Sequence, residues 1–408
     1  MLSNWIAAHP ADAVFLSGPD GDLTYGDLKN VGRDEPGGQV VIFPDNSLAT
    51  AVDLMTLPGE QRQVVLIDPR LPSDEIRRRR RAAAAGRQRR AATIVFTSGS
   101  TGPAKAVRLT EANWSAAAAA SAAHLDHQPE DVWLAVMPLH HVGGLSILYR
   151  SAFVGATVRW LPRFEVAAVI EALRGGVTMA SLVPTMLRRV LDHDAGRYDN
   201  LRAVLVGGGP IPSGLLEEAG ARGIPALPSY GMTETSAQVA TLRPGSATRY
   251  AAHPLPGVEV RIGEDERIQV RGPQVSPGYA DADDSPPGEW FTTPDLGRLD
   301  PDGAVRVLGR ADDIIVTGGE NVNPARVEAV LSAHAGVSAV VAVGIADPTW
   351  GQRVAAAYAG TVSAEDLTAW ARLRLAAAEM PRTVLRVAVI PTGGLGKPDR
   401  QAVREMFV

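Results

Sequence analysis

The stretch Thr93-Ile-Val-Phe-Thr-Ser-Gly-Ser-Thr-Gly-Pro-Ala-Lys105 joins a short β-branched, apolar run to a loop of hydroxyls and glycines that ends on a lysine. Residues 93–96 read as a buried strand. In the loop, Gly99 and Gly102 let the backbone turn tightly and aim its N–H groups at one point, while the hydroxyls of Thr97, Ser98, Ser100 and Thr101 add further donors. Such an arrangement can cradle a polyphosphate. It is not a Walker loop, because Lys105 is followed by Ala106 rather than Ser or Thr and the glycine spacing differs, and it is not a dinucleotide fingerprint either. A flexible Ser/Gly linker is the plainer reading, and a strand running straight into the loop argues against it.

Lysine occurs only at positions 29, 105 and 397, against 37 arginines. A guanidinium replaces an ammonium readily on a solvated surface, but not in a pocket that admits one compact charge on a flexible stem. Lys105 and Lys397 therefore stand out. Lys397 closes Gly393-Gly-Leu-Gly-Lys397, whose glycines make a mobile tip able to carry the charge into another domain's cleft.

Outward from this loop, strands are expected at 40–43, 64–67, 132–137, 157–161 and 203–206, alternating with helices at 111–124, 163–173 and 184–192. That alternation predicts a mostly parallel sheet with crossover helices. From about 258 the texture changes to short strands separated by Gly, Pro and Asp, the pattern of a β-rich subdomain. After 310 a helix at 325–331, an extended run at 339–344, a helix at 364–375 and an extended run at 384–390 suggest a separate small unit.

With 408 residues and 45% hydrophobic content, the chain exceeds what one core usually organises, so two or three domains are expected. The absence of cysteine excludes disulfides, thiol nucleophiles and cysteine metal sites, leaving oxygen or imidazole for any metal, with magnesium the best fit. Residues 1–16 lack a basic region followed by an apolar core, and no apolar stretch approaches the ~20 residues of a membrane span. A cytoplasmic protein is expected. The net charge of −5 gives no electrostatic case for nucleic-acid binding. The basic run 77–81, with Arg87, Arg89 and Arg90, reads as a solvated helix and connector.

Two further clusters carry chemistry. Ser229-Tyr-Gly-Met-Thr-Glu-Thr235 follows a glycine turn, Gly207-Gly-Gly-Pro210. In a nucleotide site Thr233 can hydrogen-bond an α-phosphate, Glu234 can hold magnesium and Tyr230 offers a ring face to a base, although an ordinary loop with one acid accounts for the same residues. Asp295-Leu-Gly-Arg298 and Gly309-Arg-Ala-Asp-Asp313 form the other cluster, in which Asp295 can accept both hydroxyls of a ribose with Arg310 beside it. Turn residues at the ends of hairpins are the competing reading.

In this order, the four clusters resemble the adenylate-forming superfamily of acyl-CoA synthetases, adenylation domains and luciferases, over about 93–397. Within it the chain looks most like the o-succinylbenzoate–CoA ligases, through Met137-Pro-Leu-His-His-Val-Gly-Gly-Leu-Ser-Ile-Leu148, Tyr230-Gly-Met-Thr-Glu-Thr-Ser-Ala-Gln238 and Gly318-Gly-Glu-Asn-Val-Asn-Pro324.

The resemblance implies an α/β fold with a large N-terminal domain, 1–309, of mostly parallel sheets and a β-rich subdomain. A hinge at 310–312 would lead to a small mobile α+β domain, 313–408. It implies a two-step ligase: a small-molecule carboxylic acid attacks Mg-ATP to give an acyl-adenylate, and the thiol of coenzyme A then displaces AMP. By motif, Lys397 bridges the acid and the phosphate, Thr233 touches the α-phosphate, and Glu234 binds Mg²⁺. Asp295 and Arg310 hold the ribose, Lys105 and its loop take the β- and γ-phosphates, and Gly208, Gly209, Tyr230 and Gly231 complete the nucleotide site. His141 matches the gate beside the carboxylate, with His140 as its substitute. Asp312 matches the hinge about which Lys397 leaves and the Gly318, Gly319, Glu320, Asn321 loop arrives for the thioester step.

Acid-pocket residues are Gly143, Ser229 and Ser236, with Gly144, Leu145, Ser146 and Gly231 beside them, small enough for a flat aromatic acid. A partner for a second carboxylate is not evident. Two departures from the pattern stand out: Gly102-Pro-Ala-Lys105 where proline usually precedes the lysine directly, and a short segment ahead of the loop, which bears on one pocket wall and on oligomer contacts such as a homodimer. Other readings are a ligase for another aryl or acyl acid, a stand-alone adenylation enzyme serving a carrier protein, and a non-catalytic nucleotide-binding regulator, against which Lys397 and Glu234 argue.

Overall fold

A computed structural model of the chain describes residues 2–31, 37–59, 62–85, 90–97, 103–212, 214–246, 251–286, 288–393 and 397–407. It divides into two compact units, one of Met1–Pro210, Leu216–Val260 and Val270–Phe291, the other of Ile211–Leu215, Arg261–Gln269 and Thr292–Val408.

The first unit holds two sheets. In the larger, the strands Ala226–Tyr230, Ala203–Gly207, Met179–Leu182, Val132–Ala135, Thr157–Trp160 and Val14–Gly18 lie side by side in that order, each parallel to the next. Antiparallel strands close both edges: Gly21–Thr24 at one, Ala240–Thr241 and His253–Pro254 at the other. The smaller sheet places Gly38–Ile42, Arg62–Leu66 and Thr93–Phe96 in parallel, with Ala106–Leu109 returning antiparallel. All four residues of Thr93–Phe96 are buried, which is why the run shows no polar alternation.

Helix Glu111–Leu125 begins on Thr110, whose Oγ1 accepts from the Asn113 N–H at 3.1 Å while Asn113 Oδ1 accepts from the Thr110 N–H at 2.9 Å. This reciprocal cap satisfies two donors that the first turn would otherwise leave open. It also aims the helix. Trp114 Nε1 donates to Thr93 Oγ1 at 2.9 Å, and its ring meets Tyr149 edge-on at 4.7 Å.

Several expected elements are shorter than their sequence pattern: the strands expected at 132–137 and 384–390 are Val132–Ala135 and Thr383–Arg386, and the helix expected at 364–375 ends at Arg372. Residues 142–154, to which the sequence reading assigned no element, form a helix in spite of Gly143 and Gly144. The glycine is needed there because a Cβ on Gly144 would lie 2.3 Å from the Pro138 carbonyl oxygen. The helix expected at 163–173 starts only at Val166.

A four-stranded sheet runs in the order Glu259–Ile262, Arg267–Arg271, Phe291–Leu299, Val305–Arg310, which is the β-rich region expected from about 258. In the second unit, the alanine-rich segment Gly351–Gly360 is a central strand, antiparallel to Val337–Asp347 and parallel to Thr383–Arg386. Alanine is a poor strand former by propensity, but here both faces of the strand are covered. Val354, Ala356 and Tyr358 pack with Val327, Leu331 and Leu367, while Ala355, Ala357 and Ala359 pack with Ile390 and Val403. No helix among the described residues is long and apolar enough to cross a membrane.

Replacing Thr110 with alanine removes one side of the reciprocal cap and should lower stability by about 1 kcal/mol, read as a lower urea midpoint, with Thr110→Ser restoring it.

Candidate active site

Parallel pairing sets Gly207 opposite Ser229, so the loops that follow both strands leave from one edge of the sheet. In open parallel sheets that edge is where ligands bind. The strands approach closely there: a Cβ on Gly207 would lie 2.4 Å from the Ser229 carbonyl oxygen. Gly208 then turns with φ +79° and is exposed, beside half-buried Gly209. Beyond Tyr230 the chain folds back on itself, with Val239 N–H donating to Tyr230 O at 2.8 Å and Ala237 N–H to Met232 O at 3.1 Å. Gly231 passes so near Ala237 that any side chain would collide.

Inside this loop, Thr233–Thr235 forms one 3-10 turn that leaves Thr233 and Glu234 half-buried. Ser236 and Ala237, at φ 52° and 92°, leave the turn through conformations unusual for residues with a Cβ. Such strain persists only where surrounding contacts hold it. Ser236 is fully buried, and its hydroxyl donates to the Gln274 carbonyl at 2.9 Å; Ser229 Oγ lies 2.9 Å from Thr241 Oγ1.

The loop expected to hold phosphate is pinned at its base. Thr97 N–H donates to Lys105 O, and Lys105 N–H donates to Thr97 Oγ1, both at 3.0 Å. Ser98, Gly99, Ser100, Thr101 and Gly102 lie outside the described residues. Lys105 is exposed, its Nζ 4.9 Å from the centre of the Tyr279 ring, and the Tyr279 hydroxyl donates to Glu234 Oε1 at 3.0 Å. The sequence analysis missed Tyr279, since a lone tyrosine after a Pro-Gly turn carries no sign of its partners.

His141 is half-buried at the start of helix Val142–Val154, its ring 4.4 Å from that of His140. His140 is buried, with Nε2 3.4 Å from Asp68 Oδ2, and burial pulls its pKa down to about 4, so it is neutral at pH 7. Gly143 is half-buried, whereas Gly144, Leu145 and Ser146 are buried.

Farther along this helix sits a second residue that the sequence analysis missed. Arg150 is 3% exposed, its guanidinium stands 5.6 Å from the centre of the Trp133 ring, and its Nε and Nη2 have no hydrogen-bond partner among the described residues. Burial lowers its pKa to about 9. Arginine is rarely left in this state, because an unpaired buried charge is costly. Gly143, Ser146 and Arg150 are spaced to share one helix face.

In the second unit, Asp295 and Arg310 are direct cross-strand partners, with Arg310 Nη1 4.0 Å from Asp295 Oδ1. Lys397 is half-buried in the same electrostatic neighbourhood: burial first, and then Arg310, lower its pKa, while Asp295 opposes them. Its backbone is fixed by Gly393 N–H donating to Lys397 O at 2.8 Å. Three residues on, Arg400 pairs with Glu328 at 2.5 Å and with Asp313 at 3.1 Å. Asp312 is exposed and accepts from Arg310 Nη2 at 3.4 Å. Gly318 and Gly319, at φ 58° and 86°, make the two-residue turn between Ile315–Thr317 and Glu320–Val322, and Gly318, Gly319, Glu320 and Asn321 are all exposed.

A family model of AMP-binding enzymes matches residues 38–280, and one of the AMP-binding enzyme C-terminal domain matches 326–397. The chain belongs to the AMP-binding enzyme family. Within the family, the 2-succinylbenzoate–CoA ligase of Bacillus licheniformis is 40% identical over 326 residues, 75% of this chain and 68% of that protein. The 2-succinylbenzoate–CoA ligase of Geobacillus sp. is 38% identical over 395 residues, 91% of this chain and 78% of that protein. Among solved structures of the family, o-succinylbenzoate CoA synthetase from Bacillus subtilis with its acyl-adenylate intermediate superposes with a TM-score of 0.85 at 28% identity, covering 99% of this chain and 97% of that one. The same synthetase with ATP and magnesium gives 0.86 at 28%, covering 98% of each.

The donor set at Glu234 suits magnesium. Among the described residues no group of three or more His, Cys, Asp or Glu is placed to hold a metal by itself. A single carboxylate next to a hydroxyl is what Mg²⁺ uses when water and substrate phosphates complete its octahedron.

The scarcity of lysine makes the Lys397 environment measurable. In a lysine-labelled NMR titration, the signal absent from Lys397→Arg should lose its proton below the ordinary lysine range. Arg310→Gln should move that titration up, and Asp295→Asn should move it further down.

Proposed function

We infer that the chain is an ATP-dependent ligase that joins 2-succinylbenzoate to coenzyme A through an acyl-adenylate, releasing pyrophosphate and then AMP. Identity of 38% across 91% of the chain to a 2-succinylbenzoate–CoA ligase carries this reading. All three substrates are water-soluble, which suits a cytoplasmic enzyme.

In the first half-reaction a carboxylate oxygen attacks the α-phosphorus and pyrophosphate leaves. The obstacle is the meeting of two anions, so the residues act mainly by supplying positive charge and by orienting the reactants. Lys397 neutralises the carboxylate and the α-phosphate as they meet, its lowered pKa reflecting partial removal from water. Thr233 donates to the α-phosphate. Asp295 accepts from the ribose hydroxyls, with Arg310 opposite it. Thr97 and Lys105 hold the outer phosphates, and Tyr230, Gly231, Gly208 and Gly209 border the nucleotide. Glu234 holds magnesium, which when bound offsets part of the triphosphate charge. His141 stands beside the acid, with Gly143 and Ser229 as neighbours. In the second half-reaction the thiol attacks the acyl carbon, the exposed turn at Gly318, Gly319, Glu320 and Asn321 serves this step, and Asp312 is the hinge between residues 1–309 and 313–408.

The acid has two carboxylates and only one reacts. The other needs a cation, and Arg150 fits: a buried guanidinium whose Nε and Nη2 have no partner among the described residues, on the helix face of Gly143 and Ser146. Charge-assisted pairing to an arginine is strong where water is excluded.

A pyrophosphate-release panel should rank 2-succinylbenzoate well above benzoate and medium-chain fatty acids; equal rates would reject the substrate assignment. Arg150→Met should raise KM for 2-succinylbenzoate by at least ~30-fold while leaving benzoate turnover nearly unchanged. Lys397→Ala should slow adenylate formation by at least ~100-fold and leave thioester formation from supplied acyl-adenylate nearly intact.

A further inference from the structure

Tyr279 touches both candidate phosphate-binding motifs of the first unit, and neither motif contains it. Its ring carries the Lys105 ammonium at 4.9 Å, and its hydroxyl donates to Glu234 Oε1 at 3.0 Å. This contact engages one oxygen of the Glu234 carboxylate, Oε1.

The backbone holds Tyr279 where it can do this. Tyr279 makes an antiparallel bridge to Val107, two residues beyond Lys105. Arg108 N–H donates to Gly278 O at 3.1 Å and Ala280 N–H to Ala106 O at 2.8 Å. Ser276 then ties this segment to both neighbours: its N–H donates to the Glu234 carbonyl at 2.8 Å and its Oγ to the Arg108 carbonyl at 2.6 Å. Arg108, fully buried, adds a bond from Nε to the Tyr279 carbonyl at 3.2 Å and an ion pair with Asp284. The tyrosine is thus fixed by main-chain pairing on both sides, while its half-buried side chain faces a flexible lysine and a flexible glutamate.

We propose that Tyr279 is a positioning residue, setting the Glu234 carboxylate and the Lys105 ammonium in register before the metal–nucleotide complex arrives. Without it, the Lys105 and Glu234 side chains would be free to swing into solvent, and each would have to be re-ordered on binding. The aromatic face holds the cation without neutralising it. A phenol donor fixes the carboxylate while leaving its charge in place for the metal. Order is thereby paid for on folding rather than on nucleotide binding.

The inference rests on the role proposed above for Glu234, and calorimetry separates the two. ATP affinity is measured in EDTA and in saturating Mn²⁺ for the wild type and for Tyr279→Phe, Tyr279→Leu and Glu234→Gln, with thermal midpoints to verify folding. The wild type should bind more tightly with metal. Tyr279→Phe keeps the ring and loses the hydroxyl, so it should cut that metal-dependent gain by roughly 10-fold and leave metal-free affinity unchanged, as expected for one hydrogen bond to a charged group. Tyr279→Leu should also weaken metal-free binding, by about 3-fold, through loss of the ring under Lys105. A full metal-dependent gain in Tyr279→Phe, or an equal loss with and without metal, would overturn the proposal. A full gain in Glu234→Gln would instead remove the site reading beneath it.

Discussion

Parallel strand pairing is the constraint on which the first unit depends. Because neighbouring strands run the same way, every loop that leaves a carboxyl end emerges on one edge, and the turn after Gly207, the loop after Tyr230 and the segment leading from Ala135 toward His141 are brought there together. The close approach at Gly207 and at Gly231 shows how little space that convergence leaves for backbone alternatives. Residues far apart in sequence need no long-range contacts of their own to meet. Hydrogen bonds between strands place them.

Three cations are held in three different ways, each matched to a different exposure. Lys105 is open to solvent and is steadied by an aromatic face, which orders it without neutralising it. Lys397 is half-buried next to a second cation and an anion, so its proton is held less tightly. Arg150 is buried with its Nε and Nη2 unpartnered among the described residues, a state that costs stability. The gradient runs from a solvated charge to one withdrawn from water.

Much of this was legible from sequence, for identifiable reasons. Thr93–Phe96 is buried on both faces and followed in sequence by a glycine-rich run, so its boundaries could be read directly. The chemistry of Asp295 and Arg310 was readable from their types, but not the cross-strand register that sets them opposite each other. Helix Val142–Val154 was hidden by the glycines that its packing against Pro138 requires. Strand Gly351–Gly360 was hidden because alanine suits a helix equally well, and only layers on both faces make it a strand. Tyr279 and Arg150 were out of reach for a further reason: what distinguishes them is a partner, or the lack of one, in three dimensions.

The scarcity of lysine has a chemical consequence beyond the sites it marks. A mixed anhydride of a carboxylic acid and AMP is an electrophile, and any copy that escapes before thiolysis acylates neutral amines. A surface whose positive charge is carried almost wholly by guanidinium groups, which do not give up their protons near neutrality, offers few such nucleophiles. The Lys29 side chain, meanwhile, is engaged at 2.7 Å with the carbonyl of His9. Amine nucleophiles are thereby few, with three lysine side chains in 408 residues.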